Sequence, residues 1–98
     1  MTIEKTITGS ILCLKVIGRL DTTTAPQLEN ELKQNISGIT KLTMDFSELE
    51  YMSSAGLRIL LAAQKVMNRQ GKMVVKNVND TIMEVFEITG FIDILTIE

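Results

Sequence analysis

The sequence predicts an α/β domain with a mixed sheet of about five strands and three helices, and three observations lead there. Apolar residues alternate with a period of two over the first seventeen residues, three later segments repeat them at three- and four-residue steps, and short apolar runs separate those segments. Strand–helix–strand units take right-handed crossovers and pair in parallel, whereas an opening hairpin pairs antiparallel. The expected order is ββαβαβαβ in one domain, residues 1–98.

Ile3, Lys5 and Ile7 share one face of a first strand. In a second strand, Ser10 to Ile17, Leu12, Leu14 and Val16 oppose Ile11, Cys13 and Ile17, and Gly9-Ser10 between the two suits a tight turn. A first helix opens at Thr23-Thr24-Ala25-Pro26, where an early proline loses no hydrogen bond and Thr24 with Gln27 spells a capping box. It stacks Leu28, Leu32 and Ile36 and stops near Gly38. Lys41 to Phe46 is a third strand, and Ser47 to Ser53 reads as a loop. Ser54 to Gln70 has the strongest helical pattern, with Ile59, Leu60, Ala63, Val66 and Met67 on one side and Arg58, Lys65 and Arg69 on the other. Gly71 fits a left-handed stop. Lys72 to Lys76 is a strand, Asn79-Asp80-Thr81 begins a helix burying Ile82, Val85 and Phe86, and Ile94 to Ile97 supplies the last strand. Met44, Met67, Met73 and Met83 follow core periodicity, and Cys13 lies mid-strand as an inert thiol.

Composition removes several function classes. Ten bases against twelve acids give a net charge of −2, and histidine is absent. Without histidine and with a single cysteine, there is no Ser-His triad, no internal disulfide and no zinc module, so neither a metal nor a cofactor is expected. The bases are scattered along the chain rather than clustered, which argues against a nucleic-acid binder. No run approaches the roughly 20 apolar residues of a membrane span, and the first residues lack the pattern of a signal peptide, so a soluble protein of a reducing compartment is expected.

In open sheets of this class, functional groups collect beyond the carboxyl ends of parallel strands. The third strand leads to Ser53-Ser54-Ala55-Gly56 at a helix start. Ser54-Ala55-Gly56 matches half of a nucleophile elbow, but Met52 stands where its first glycine belongs and no base is available. Two readings remain for the serine pair: an ordinary helix cap, or a hydroxyl placed where free N–H groups and the helix dipole stabilise an added phosphate. Asp21 is either the anchor of a turn or a member of the same functional edge, and Asp45 is either a strand-end acceptor or a charge beside the site.

Three segments carry a resemblance. Asp45-Phe46-Ser47-Glu48-Leu49-Glu50-Tyr51-Met52-Ser53-Ser54-Ala55-Gly56-Leu57 is similar to the signature of STAS-domain anti-sigma factor antagonists, in which a D-S-[ST]-G-L-type turn opens a helix. Gly18-Arg19-Leu20-Asp21 resembles the family's G-x-L-D segment, and Glu87-Ile88-Thr89-Gly90-Phe91 resembles the end of its third helix. The resemblance implies a bacterial, cytoplasmic binding module rather than an enzyme. Its partner is an anti-sigma factor, often itself a serine kinase that supplies the ATP, and binding frees the sigma factor. By position, the phosphorylated serine is Ser54, and a serine phosphatase reverses the modification. Partner contact is expected at Asp21, Glu48, Tyr51, Met52, Ser53, Ala55, Gly56 and Arg58. The sequence departs from the family at Ser53, where relatives carry an acid, and many relatives add a C-terminal helix after the last strand. A face left uncovered there could serve a homodimer or a partner. The resemblance also admits a second reading: an accessory subunit of a lipid-transport ATP-binding-cassette complex, or another STAS scaffold, without regulation by phosphorylation.

Overall fold

One long strand organises the sheet. In the computed structural model, which describes Met1 to Glu98, β2 spans Ile11–Leu20 and buries Leu12, Leu14, Val16 and Leu20 completely. β1, Thr2–Thr8, returns antiparallel along it through the two-residue Gly9-Ser10 turn, with Thr8 opposite Ile11 and Thr2 opposite Ile17. On its other side β2 pairs in parallel with β3, Lys41–Asp45, and β3 pairs in parallel with β5, Lys72–Lys76.

The helices are α1, Ala25–Asn35; α2, Ser54–Gln70; and α3, Asp80–Thr89. Leu28 and Leu32 of α1, Leu60 and Met67 of α2, and Ile82 and Phe86 of α3 join the inward residues of β2, β3 and β5 in one apolar cluster. Full burial of side chains of this size stabilises by about 1.5 to 3 kcal/mol each, which makes this cluster the main source of stability. The opposite face of β2 bears Ile11, Cys13, Lys15 and Ile17, exposed or half-buried, and carries no helix. Met44, Met67 and Met73 are buried and Met83 packs half-buried against the cluster, as their spacing indicates. Inside α2, Gln64 donates through Nε2 to Asn68 while its buried Oε1 has no partner.

Five strands and three helices are present, but their order differs at two points from ββαβαβαβ. The segment expected as a loop, Ser47 to Ser53, contains β4, Leu49–Met52, which pairs in parallel with the far end of β2. Gly18 N–H donates to Glu48 O at 3.0 Å, and a register shift between Gly18 and Arg19 bends β2 toward the new partner. The expected final strand, Ile94 to Ile97, is reduced to one parallel bridge between Val75 and Ile97. A 3₁₀ turn at Phe91–Asp93 takes up the chain needed for a longer strand: Ile94 and Leu95 N–H both donate to Phe91 O. The observed order is ββαββαβα.

Gly71 ends α2 for a reason other than a left-handed backbone. Its φ of 170° is extended, and a Cβ there would lie 1.9 Å from Thr40 O. Lys72 N–H donates to that same Thr40 O at 3.0 Å, so the close approach sets the entry of β5 beside β3. Gly71→Ala is therefore expected to lower unfolding stability by about 1 to 3 kcal/mol or more in urea titration, because the obstructing atom is backbone and cannot swing aside.

Candidate functional site

The edge singled out by the sequence forms where β2 and β4 end. Ser53 is the N-cap of α2: its Oγ accepts from Ala55 N–H at 3.2 Å, and its own N–H donates to Leu20 O at 2.9 Å. Ser54 is the first residue of the helix, exposed and taking no part in the cap. The two hydroxyls thus divide the two readings of the pair, with the cap at Ser53 and the free group at Ser54.

Gly56 fixes how closely this helix start approaches the sheet. A Cβ at Gly56 would come within 2.8 Å of Leu20 Cγ and 2.9 Å of Met52 Cγ, so glycine lets α2 sit directly on the ends of β2 and β4. Met52, Ala55 and Gly56, expected at the partner surface, are turned into the core instead. They hold the edge in place from beneath, and Ala55 also borders the groove between α1 and α2. Tyr51 and Arg58 are exposed, Arg58 one helical turn beyond Ser54.

Beside Ser53, Asp21 ties the β2–α1 turn. Its Oδ1 accepts from Thr23 N–H at 3.0 Å, Thr23 Oγ1 at 2.7 Å and Thr24 N–H at 3.2 Å. The expected Thr24–Gln27 capping box does not form: Thr24 Oγ1 accepts from Asp21 N–H and donates to Arg19 O, both at 2.8 Å, and makes no side-chain cap. The Thr23 hydroxyl, aided by backbone N–H groups, holds the Asp21 carboxyl below the usual carboxylate range despite partial desolvation. Asp21 anchors the turn, and its carboxylate also lies on the edge beside Arg19.

Arg19 is the residue that the sequence reading passed over. Its guanidinium lies 4.3 Å from the centre of the Tyr51 ring, and its Nε is 3.9 Å from Asp21 Oδ2. Register explains the contact, because Arg19 of β2 is paired with Tyr51 of β4. The signal was G-R-L-D itself, but only the β4 pairing shows what Arg19 meets. Glu48 is drawn elsewhere: its carboxylate pairs with Lys15 Nζ at 2.6 Å on the helix-free face, and that hydrogen bond raises the Lys15 pKa. Asp45 closes the end of β3, accepting from Ser47 N–H and Asn77 Nδ2, each at 3.0 Å. Burial opposes its charge, but the bonds from Asn77 and Ser47 with the nearby Lys76 outweigh it and hold the carboxyl below its usual range.

The edge has a free hydroxyl, an aromatic–guanidinium pair and an anchored carboxylate. No group of three or more His, Cys, Asp or Glu residues is placed to hold a metal ion, and no helix is long and apolar enough to cross a membrane. A mixed five-stranded sheet with three helices, the longest capped by Ser53 where β2 and β4 end, defines the class of fold. The chain belongs to the STAS domain family, whose model matches residues 2–98.

Several relatives that match most of the chain bear the name of anti-sigma factor antagonists. The chain is 37% identical over 86 residues to the anti-sigma-B factor antagonist of Listeria monocytogenes, covering 85% of this chain and 75% of that one. It is 32% identical over 97 residues to the anti-sigma-B factor antagonist of Staphylococcus aureus, covering 97% and 90%. It is 36% identical over 99 residues to BtrV of Bordetella bronchiseptica, covering 99% and 84%. Among solved structures, an anti-sigma factor antagonist from Mycobacterium paratuberculosis superposes with a TM-score of 0.89 at 23% identity, over 98% of this chain and 83% of that one. The unphosphorylated anti-sigma factor antagonist SpoIIAA superposes with a TM-score of 0.78 at 18% identity, over 99% and 87%. SpoIIAA has also been solved in its phosphorylated form, and that structure matches with the same TM-score.

Two outcomes test this geometry. Ser53→Ala should destabilise the domain by about 0.5 to 2 kcal/mol in urea unfolding, while Ser54→Ala stays within about 0.5 kcal/mol, since only Ser53 caps. The depressed pKa of Asp45 means that its contribution is complete above the unfolded value of about 3.9 and is lost as pH falls through the lower folded value. Urea midpoints between pH 5 and pH 3 should therefore fall less steeply for Asp45→Asn than for the parent chain.

Proposed function

We propose that the chain is an anti-sigma factor antagonist: it binds an anti-sigma factor through the edge around Ser54 and so frees the sigma factor. In this reading the partner is a serine kinase that phosphorylates Ser54, a serine phosphatase restores the hydroxyl, and all of this takes place in the cytoplasm. The chain itself performs no catalysis. The observation that carries the reading is the division between the two serines. Ser53 caps α2, and Ser54 stands exposed beside it with no structural duty, in a chain whose relatives are antagonists of anti-sigma factors.

The physical consequences follow from that position. A phosphate adds about −1.5 to −2 charges at neutral pH, taking the net charge from −2 to about −4. At a helix N-terminus it gains about 0.3 to 1 kcal/mol from the dipole, so the domain stays folded when modified. In a drying interface an uncompensated charge costs roughly 2 to 5 kcal/mol, or about 30-fold to several thousandfold in affinity. Modification then ejects the partner while leaving the antagonist intact for the phosphatase. Asp21, Arg19 and Tyr51 border the contact as a rigid polar rim, while Met52, Ala55 and Gly56 act from beneath.

A pull-down from native lysate with wild-type and Ser54→Asp baits identifies the partner, and calorimetry with that purified protein measures the switch. Ser54→Asp should bind at least tenfold more weakly than wild type, with an unchanged circular dichroism spectrum. After incubation with the partner and ATP, intact mass should rise by one phosphate in the wild-type chain and remain unchanged in Ser54→Ala. Equal affinity of the aspartate variant, or recovery of transporter subunits by both baits, would sink the proposal.

A further inference from the structure

The net charge of −2 conceals a segregation between elements. α2 carries Arg58, Lys65 and Arg69 and no acid, while residues 78–98 carry Asp80, Glu84, Glu87, Asp93 and Glu98 and no base. The three cations of α2 are exposed, and none enters an ion pair; the ion pairs of the chain engage Lys15, Arg19 and Lys33. Steps of four, seven and four residues place Ser54, Arg58, Lys65 and Arg69 along one line of the helix surface. At about 1.5 Å per residue the line is about 22 Å long.

An apolar groove runs beside this line. Leu32 and Ile36 of α1 face Ile59, Ala62 and Val66 of α2 across it, and the groove continues past Ala55 toward Pro26. Its two lips differ. Arg58, with Lys65 and Arg69 continuing the line, gives the α2 side an unpaired positive charge, while Glu29 and Lys33 on the α1 side pair with each other at 3.7 Å. A ligand that complements both features has apolar side chains on one stripe and carboxylates beside it.

We propose that the contact at Ser54 continues along the whole length of α2, and that its occupant is an acidic amphipathic helix of the anti-sigma factor. Its apolar side chains fill the α1–α2 groove, and its carboxylates lie along Arg58, Lys65 and Arg69. This rests on the function proposed above and adds the partner's chemistry and the extent of the interface. It also gives a phosphate on Ser54 a second effect. Arg58 stands four residues on, within reach of a phosphate at the helix start, so the modification draws one cation out of the line and cuts its charge from +3 to about +1. A membrane or nucleic acid would use the cations, but three positive charges on a net acidic chain are few for either, and both leave the groove unfilled.

The test uses the anti-sigma factor identified by the wild-type bait, purified, in calorimetry at 50 and 300 mM NaCl. The double variant Lys65→Glu/Arg69→Glu should bind at least tenfold more weakly at low salt and lose most of the salt dependence. Ala62→Asp, which places a charge in the groove from an exposed position, should also bind at least tenfold more weakly. Lys41→Glu/Lys72→Glu, with the same change in net charge at the starts of β3 and β5, should stay within twofold of wild type. Thermal melts accompany every variant, and the comparison is made among those that fold. If Lys65→Glu/Arg69→Glu binds within twofold of wild type while Ser54→Asp still loses the partner, the extended interface is wrong and the proposed function stands. If the wild-type chain binds no anti-sigma factor, both are wrong. If phosphatidylserine vesicles bind the wild type but not the double variant, with affinity for the anti-sigma factor unchanged, the line serves a membrane and the inference is overturned.

Discussion

Every part of this molecule is placed by the pairing of β2. Its ten residues hold β1 along one side, and along the other they hold β3 first and β4 beyond the bend at Gly18 and Arg19. A strand that must serve three partners has little freedom in register: a one-residue slip would turn Leu12, Leu14 and Val16 out of the core and bring Cys13 and Lys15 in. The bend lets a single strand serve both the centre of the sheet and the edge where the serine pair sits. Leu20 closes it, packing beneath Gly56 with its side chain while its carbonyl receives the N–H of Ser53.

The edge is consequently built by residues that do not face outward. Leu20, Met52 and Gly56 set how closely α2 approaches the sheet, and Ser53 satisfies one of its free N–H groups, that of Ala55. Ser54 beside it takes no part in the cap. Asp21 behaves in the same way on the adjoining turn: its hydrogen bonds with Thr23 and Thr24 fix the loop while one carboxylate oxygen remains toward Arg19. A rigid scaffold thus holds a free hydroxyl at its rim.

Much of this was legible in the sequence, and the exceptions have physical causes. The long helix from Ser54 to Gln70 declares itself because seventeen residues allow the 3.6-residue period to repeat several times. β4 stays hidden because four residues, with Glu50 and Tyr51 exposed between buried Leu49 and Met52, show no alternation that separates a strand from a loop. The overlooked part of the site follows directly from that gap, since Arg19 meets Tyr51 only through the β2–β4 register. The C-terminal apolar run misleads in the opposite direction, its isoleucines suggesting a strand where a tight turn leaves room for one bridge. Spacing and resemblance single out Ser54; that Ser53 rather than Ser54 bears the cap depends on the backbone geometry at the helix start, which spacing does not reveal.

The sheet pairings also dictate the order in which such a chain can assemble. Only β1 and β2 are joined by a two-residue turn; Ile11 meets Lys41, and Lys41 meets Lys72, each across about thirty residues that contain a helix. The hairpin can form within microseconds of its synthesis, but β2 has no β3 to pair with until the chain through α1 is made, and β3 has no β5 until the chain through α2 is made. During that wait its apolar face, Leu12 to Val16, is uncovered. A nascent chain paused before Lys72 exposes half a core, and how quickly the remaining residues arrive bears on its yield as much as the stability of the finished fold does.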